Sequence, residues 1–311
     1  MISTLTLPYL TCIDHAYVDD IGRIRGRSYH ASFTVSGKVD EEGEKVVVDF
    51  SKVKKLIKSI VDDHEYGFDH KLWVDSNCKE DANPRIATPF ALLNIPENAI
   101  RSFPKATHVH ASSACFIIAQ HVQDVLLNVH GIEVDIKCAL NTSPLFIQAG
   151  GVYGMFSYVH GLRDSSAYGC QNLAHGHLSY LQLIPKVDII RMVVDPVHCA
   201  DEDNALTALD KVCNEICKDL DDTIFIYGAN VWTASTDEVS IAYTSKSRGS
   251  MGGKFKNNER QKTVVLETET TVEYLAEYIN AKYGELLREA GVDKFIVSEG
   301  LSKGVLFEVT S

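Results

Sequence analysis

The chain has 311 residues, 45% apolar and 23% charged, ordinary values for a globular protein long enough for two domains. Its formal net charge of −12 repels phosphate backbones, which argues against nucleic-acid binding and leaves room for an anionic substrate only where a local basic pocket meets it. No apolar run reaches the roughly eighteen residues of a membrane span, and Met1-Ile2-Ser3-Thr4-Leu5-Thr6 lacks the basic and apolar regions of a secretory leader, so a soluble cytoplasmic protein with no membrane partner is expected.

In chain order, Ser28 to Gly37 is rich in β-formers and runs into a turn signal at Val39-Asp40-Glu41-Glu42-Gly43. Val46 to Phe50 continues the hairpin. Ser51 then opens Val53, Leu56, Ile57, Ile60 and Val61, apolar at helical spacing. A second helix is predicted over Ala114 to Leu127, followed by strands at Ile132 to Ala139 and Leu145 to Gln148. Gly150-Gly151 marks a boundary, after which the same order begins again. Strands fall at Val152 to His160 and His177 to Ile184, helices at Ala205 to Leu220 and Thr271 to Ala290, and a final strand pair at Lys294 to Ser298 and Gly304 to Val309. Repetition of element order points to duplication. Tyr243 to Asn258, with Lys246, Arg248, Lys254 and Lys256, reads either as a solvated loop or as a basic lid over phosphate.

None of the eight cysteines forms a C-x-x-C pair. Cys213 and Cys217 share a helix face and read as core. Cys170 is different, because it belongs to the pattern H-x9-C-x4-H-G-H formed with His160, His175 and His177. His175 and His177 alternate along a strand, so both imidazoles point to one face, with a glycine between them. Three histidines without a fourth protein ligand describe an open zinc site that keeps a position for water or substrate. His108-Val109-His110 has no third partner at a convincing spacing and reads as structural or exposed.

Phe156 to His160, Cys170 and His175-Gly176-His177 resemble the signature of the 6-pyruvoyl-tetrahydropterin / 6-carboxytetrahydropterin synthase family. So do Thr270-Thr271-Val272-Glu273-Tyr274-Leu275-Ala276, with Thr270 in place of the family's proline, and Val297-Ser298-Glu299-Gly300. The resemblance implies an α+β fold of two tandem T-fold domains, residues 1–150 and 151–311. Each would be an antiparallel four-stranded sheet with two helices on one face, and the sheets would associate into barrels as a homo-oligomer, a trimer or hexamer. It further implies Zn2+ held by His160, His175 and His177, Cys170 as base, and a pterin triphosphate substrate bound by Glu299, Thr270 and Thr271.

Ser36-Gly37-Lys38-Val39-Asp40, Val48-Asp49-Phe50 and Phe68-Asp69-His70-Lys71-Leu72 are similar to family segments as well, but this first copy carries Arg25-Gly26-Arg27 where H-G-H would stand. His15 is a candidate for the place of the first ligand. The second copy has Leu220-Asp221-Asp222 where the Asp-His segment would stand. Each copy lacks what the other keeps, so a composite site is expected, with Asp69 and His70 completing the zinc site of the second domain or Asp222 substituting. Arg25 and Arg27 either direct charge to solvent or bind triphosphate. The implied reaction is carbon–carbon or carbon–oxygen cleavage of 7,8-dihydroneopterin triphosphate, giving 6-carboxytetrahydropterin for 7-deazaguanine (queuosine) synthesis or the 6-pyruvoyl product; a catalytically impaired pterin- or purine-binding or assembly module is a second reading, and a metal-dependent hydrolase on an unrelated fold, using the same three histidines with a carboxylate base, ranks last.

Overall fold

The computed structural model describes residues 2–39, 49–76, 85–104, 110–145, 147–148, 151–161, 175–186, 199–245 and 248–310. Cys170, His108, Lys246 and the turn at 40–43 lie outside them.

The N-terminal half starts with two long antiparallel strands, β1 (Ile2–Val18) and β2 (Ile24–Lys38). Helix α1 (Phe50–Val61) is capped by Asp49, whose side chain accepts the Lys52 N–H, and it buries Val53, Ile57, Ile60 and Val61. Short strands β3 (Leu72–Asp75), β4 (Arg85–Ala87), β5 (Ala91–Asn94) and β6 (Ile100–Phe103) precede α2 (Ala111–His130). Gly131, at φ 66°, ends α2 by donating its N–H to the Leu126 and Leu127 carbonyls, and β7 (Asp135–Asn141) follows.

The C-terminal half contains β8 (Val152–Gly161), β9 (His175–Pro185), α3 (Cys199–Leu220), β10 (Thr223–Tyr227), β11 (Val231–Ala234), β12 (Glu238–Ser245), β13 (Gly249–Lys256), β14 (Lys262–Leu266), α4 (Val272–Glu289), β15 (Val292–Glu299) and β16 (Lys303–Glu308). The first sheet runs β6-β3-β1-β2-β7 and the second β14-β10-β8-β9-β15-β16. These are the same order with one strand added. In each, the central pair is antiparallel and the two strands outside its first member are parallel to it.

The antiparallel four-stranded sheet expected for each half is therefore corrected to mixed sheets of five and six strands. The chain leaves each helix α1 or α3 beside the first strand of its hairpin and adds a parallel strand there. Of the strand expected at Leu145 to Gln148, the described residues Leu145, Ile147 and Gln148 belong to no strand. Their backbone turns to the other half, with the Leu145 N–H on the Leu301 carbonyl and the Gln148 N–H on the Gln182 side chain. The expected loop at Tyr243 to Asn258 is also corrected, because β12 and β13 form a hairpin there. Val239, Ile241, Tyr243, Met251 and Phe255 alternate inward, which supplies the hydrophobic reason.

That hairpin pairs with β5, so the segments inserted in the two halves build a third sheet, β11-β12-β13-β5-β4, together. Helices cover one face of each large sheet, burying clusters that include Phe33, Ile57, Trp73 and Ile118 in one half and Phe156, Leu181, Ile216 and Phe295 in the other. Their opposite faces share a core with the third sheet, in which Ala16, Ile24 and Leu72 join Val159, Ile224, Ile241 and Phe255. Cys213 and Cys217 are buried in the helix-side cluster.

The two halves come into backbone contact at glycines. A Cβ on Gly176 would lie 2.6 Å from the Gly26 Cα, and one on Gly26 would lie 2.0 Å from the Tyr158 carbonyl oxygen. No side chain fits there. The two hairpins cross at this point, which brings β1 and the segment before β3 to the open end of β8 and β9.

Candidate metal centre

Strand alternation puts His175 and His177 on the face of β9 that continues to Leu181 and Leu183, under the helices. His160 pairs with His175 across β8 and β9. All three imidazoles are fully buried, and their ring centres lie 4.2 to 5.1 Å apart.

Each ring is held differently. His160 donates from Nδ1 to the Thr270 carbonyl at 2.7 Å, which leaves its Nε2 as a lone pair 3.1 Å from the His177 Nε2. Asp14, from β1 of the other half, places Oδ1 3.3 Å from the His177 Nδ1. Among the described residues, neither nitrogen of His175 has a hydrogen-bond partner. Glu299 closes the group, with Oε1 3.6 Å from the His177 Nε2 and 3.9 Å from the His160 Nε2, while its Oε2 meets the Lys303 Nζ at 2.7 Å.

Burial drives the His160 pKa down to about 3, with His177 adding to the shift, and holds His175 well below its ordinary value. Both rings are neutral near pH 7, the form that ligates metal. For Glu299, burial raises the pKa, but His177, His160 and Lys303 together outweigh it and keep the carboxylate ionised. Asp14 follows the same pattern, its burial overcome by His177 and by the Ser28 hydroxyl.

His160, His175, His177 and Glu299 each offer a ligand atom, all within 4.8 Å of one another. Buried imidazoles with orphaned nitrogens beside a carboxylate are unfavourable as a bare cluster and fit a divalent cation. The donor set suits zinc among other metals.

The first half contributes more than Asp14. His70 stacks on His175, with ring centres 4.2 Å apart and planes within 10° of parallel, and its Nδ1 meets the Asp69 carboxylate at 2.5 Å. The Asp69 side chain accepts the Asp14 N–H at 2.8 Å, and the His70 N–H donates to the Asp14 carbonyl at 2.8 Å. His70 sits at φ 55°, an unfavourable conformation for a non-glycine residue that these two bonds fix.

The second half repeats this clamp without the histidine. Asp221 accepts the Ser157 N–H at 2.7 Å, the Asp222 N–H donates to the Ser157 carbonyl at 2.8 Å, and Asp222 has φ 59°. Its carboxylate takes Arg25, Arg23 and the Ser157 hydroxyl as partners, so Asp222 is tied to the first hairpin rather than to the imidazoles. Arg25 does not simply direct charge to solvent.

Strand register also corrects the reading of His15. Tyr17 pairs with Arg25 as His160 pairs with His175, and His15 pairs with Arg27 as Tyr158 pairs with His177. Tyr17 therefore occupies the first ligand's place in the N-terminal half.

Thr270 reaches the site through its carbonyl on His160, and Thr271 is the N-cap of α4. Asp14 was missed from the sequence, since a lone aspartate in a strand gives no signal until the sheets are stacked. Arg248, within the segment read as a loop, is buried and donates to the His64 and Asn98 carbonyls.

No family model matches the sequence, and no curated protein does. Among solved structures, the chain is similar to a Plasmodium vivax 6-pyruvoyltetrahydropterin synthase carrying a substituted catalytic residue. The match has 16% identity over 47% of this chain and 94% of the other, with a TM-score of 0.35. Another P. vivax structure of that synthase matches at 18% identity, 52% and 98% coverage and a TM-score of 0.32. The Plasmodium falciparum synthase matches at 17% identity, 50% and 94% coverage and a TM-score of 0.32.

Proposed function

We propose that this chain, which resembles the 6-pyruvoyl-tetrahydropterin synthase family in its His160, Cys170, His175-Gly176-His177 and Glu299 motifs, is a zinc-dependent lyase acting on 7,8-dihydroneopterin triphosphate. The observation that carries the reading is the meeting of three buried imidazoles and Glu299 with the Asp69–His70 pair of the other half, His70 stacked on His175. A purely structural metal site has no use for a stacked, carboxylate-held histidine.

His160, His175 and His177 would hold the metal, which when bound supplies a Lewis acid for the substrate's side-chain hydroxyls. Asp69 holds the His70 ring and its tautomer, and His70 is assigned to take or return a proton in the reaction. Cys170, five residues before His175, is assigned as the base for the adjacent carbon, its thiolate favoured by a cationic setting. Glu299 is assigned to the amidine edge of the pterin, which a carboxylate grips through two parallel hydrogen bonds. Since one of its oxygens already faces the imidazoles, substrate binding would turn that oxygen away. Two domains per chain, with boundaries near residue 150, and assembly into a homo-oligomer belong to the same proposal.

Of the two products, 6-carboxytetrahydropterin with release of acetaldehyde is the one we assign, which would place the chain in 7-deazaguanine synthesis. The test is metal content together with acetaldehyde release from 7,8-dihydroneopterin triphosphate, for wild type and Cys170→Ala. One zinc per chain with Cys170-dependent acetaldehyde is expected. A pyruvoyl product would keep the enzyme class and change the pathway, and zinc without any pterin product would leave a binding module.

A further inference from the structure

We propose that the N-terminal half's counterpart of the histidine site is a second binding site, for a small anion carrying a phosphate or carboxylate group, with Arg27 as its principal ligand. The place is defined by strand register. Tyr17, Arg25 and Arg27 occupy on β1 and β2 the positions that His160, His175 and His177 occupy on β8 and β9. On the neighbouring strand, Leu140 pairs with Ala31 as Val297 pairs with Leu181, so Thr142, two residues beyond Leu140, stands where Glu299 stands two residues beyond Val297. Metal-binding acceptors and a carboxylate have been exchanged for cationic and hydroxyl donors. The polarity of the site is inverted.

The place is also hollow. A cavity of about 560 Å³ lies there, lined by His15, Tyr17, Arg27, Tyr29, His110 and Thr142 among others. Its charges are mostly spent. Arg25 is engaged by Asp222 and Asp221, and Arg23 by Asp19 and Asp222. Asp20 is a further carboxylate in the wall. Arg27 is the exception, since among the described residues its contacts are the Tyr17 hydroxyl at 3.5 Å and the Tyr17 ring at 5.7 Å, with no carboxylate in ion-pair range. A half-buried guanidinium facing a cavity without a counter-ion favours an anion there.

Two further features adjoin the same space. His15, 1% exposed and stacked on Trp73 at 3.6 Å, forms part of the cavity wall. The N-terminus of the twenty-residue helix α2 adjoins the cavity through Ala111 and the N-cap residue His110. The positive end of the helix dipole thus lies beside the cavity. A pterin ring has no glutamate to grip here, whereas a phosphate or carboxylate meets donors.

Isothermal titration of the full-length, zinc-loaded chain with inorganic phosphate and, separately, with succinate tests this, and the tighter of the two tells which anion class the site prefers. One site per chain is expected, weakened about tenfold or more in Arg27→Gln, with zinc content equal to wild type. If Arg27→Gln fails to fold, Thr142→Glu serves, because a carboxylate restored at that position should expel the anion. Binding unchanged in these variants would place the anion elsewhere, and no binding of either probe would show the cavity has no such role; both overturn the proposal without touching the zinc site.

Discussion

Asp14 Oδ1 lies 3.3 Å from Nδ1 of His177, so a carboxylate of the first strand of one half stands behind an imidazole on the second strand of the other. The carboxylate favours the tautomer in which Nδ1 carries the proton and Nε2 faces the cluster. The N-terminal half thereby places a carboxylate against the candidate metal centre of the C-terminal half.

Asp14→Asn keeps the shape and removes the charge. Zinc affinity should fall about ten- to a hundredfold, the usual effect of losing such a partner, and competition with a chelator would measure it. Affinity equal to wild type would show that His177 is oriented by packing alone.

His70→Ala separates metal binding from chemistry. His70 stacks on His175 but is not among the four residues offering ligand atoms to the cluster. The expected outcome is unchanged zinc content with kcat lowered about 10²- to 10⁴-fold, the range for loss of a general acid–base group. Unchanged turnover would remove the first half from the reaction.

Glu299 has two possible duties, and Glu299→Gln distinguishes them. As the pterin anchor it should raise KM strongly and leave zinc bound. If its contact with His177 and His160 marks metal ligation instead, zinc dissociates during dialysis while the fold, followed by circular dichroism, stays intact.

Gly176→Ala and Gly26→Ala test the crossing of the hairpins. The added methyl would sit 2.6 Å from the Gly26 Cα in the first and 2.0 Å from the Tyr158 oxygen in the second. Backbone cannot yield locally as a side-chain tip does, so a loss of about 3 kcal/mol is expected, read as a lowered midpoint of thermal unfolding. Midpoints equal to wild type would mean that the halves do not pack at this point.

The metal-free chain should lose stability in acid partly through His15. Burial, with the nearby Arg27 adding to it, lowers its pKa from 6.5 to about 3. Below pH 6.5 the unfolded chain binds a proton that the folded chain refuses, so stability falls as pH drops towards 3. His15→Phe keeps the stacking on Trp73 and removes that term. Its acid-unfolding midpoint should lie at lower pH than wild type, and an unchanged midpoint would show that His15 does not stay neutral in the fold.

The sequence by itself determined the elements whose signals are local. Val53, Ile57, Ile60 and Val61 repeat at helical spacing and form the buried side of α1. His175-Gly176-His177 alternates along a strand, and alternation alone puts both rings on one face. The repeated order of elements was legible too, because it is carried by turns and periodicity. The alternation of Val239, Ile241 and Tyr243 was equally present, and the glycines and lysines beside it hid it.

Only the tertiary structure decided which residues meet. Parallel neighbours such as β1 and β3 are joined through a helix, and no local pattern states on which side the returning strand will lie. Strand register turned His15 into the counterpart of Tyr158 and gave the first ligand's place to Tyr17. Asp14, Asp69 and His70 are separated from His177 by more than a hundred positions in the chain, and they reach it because two glycines let two sheets cross in backbone contact. Such proximity is set by packing between layers, which depends on every side chain in both, and so it is written nowhere along the sequence.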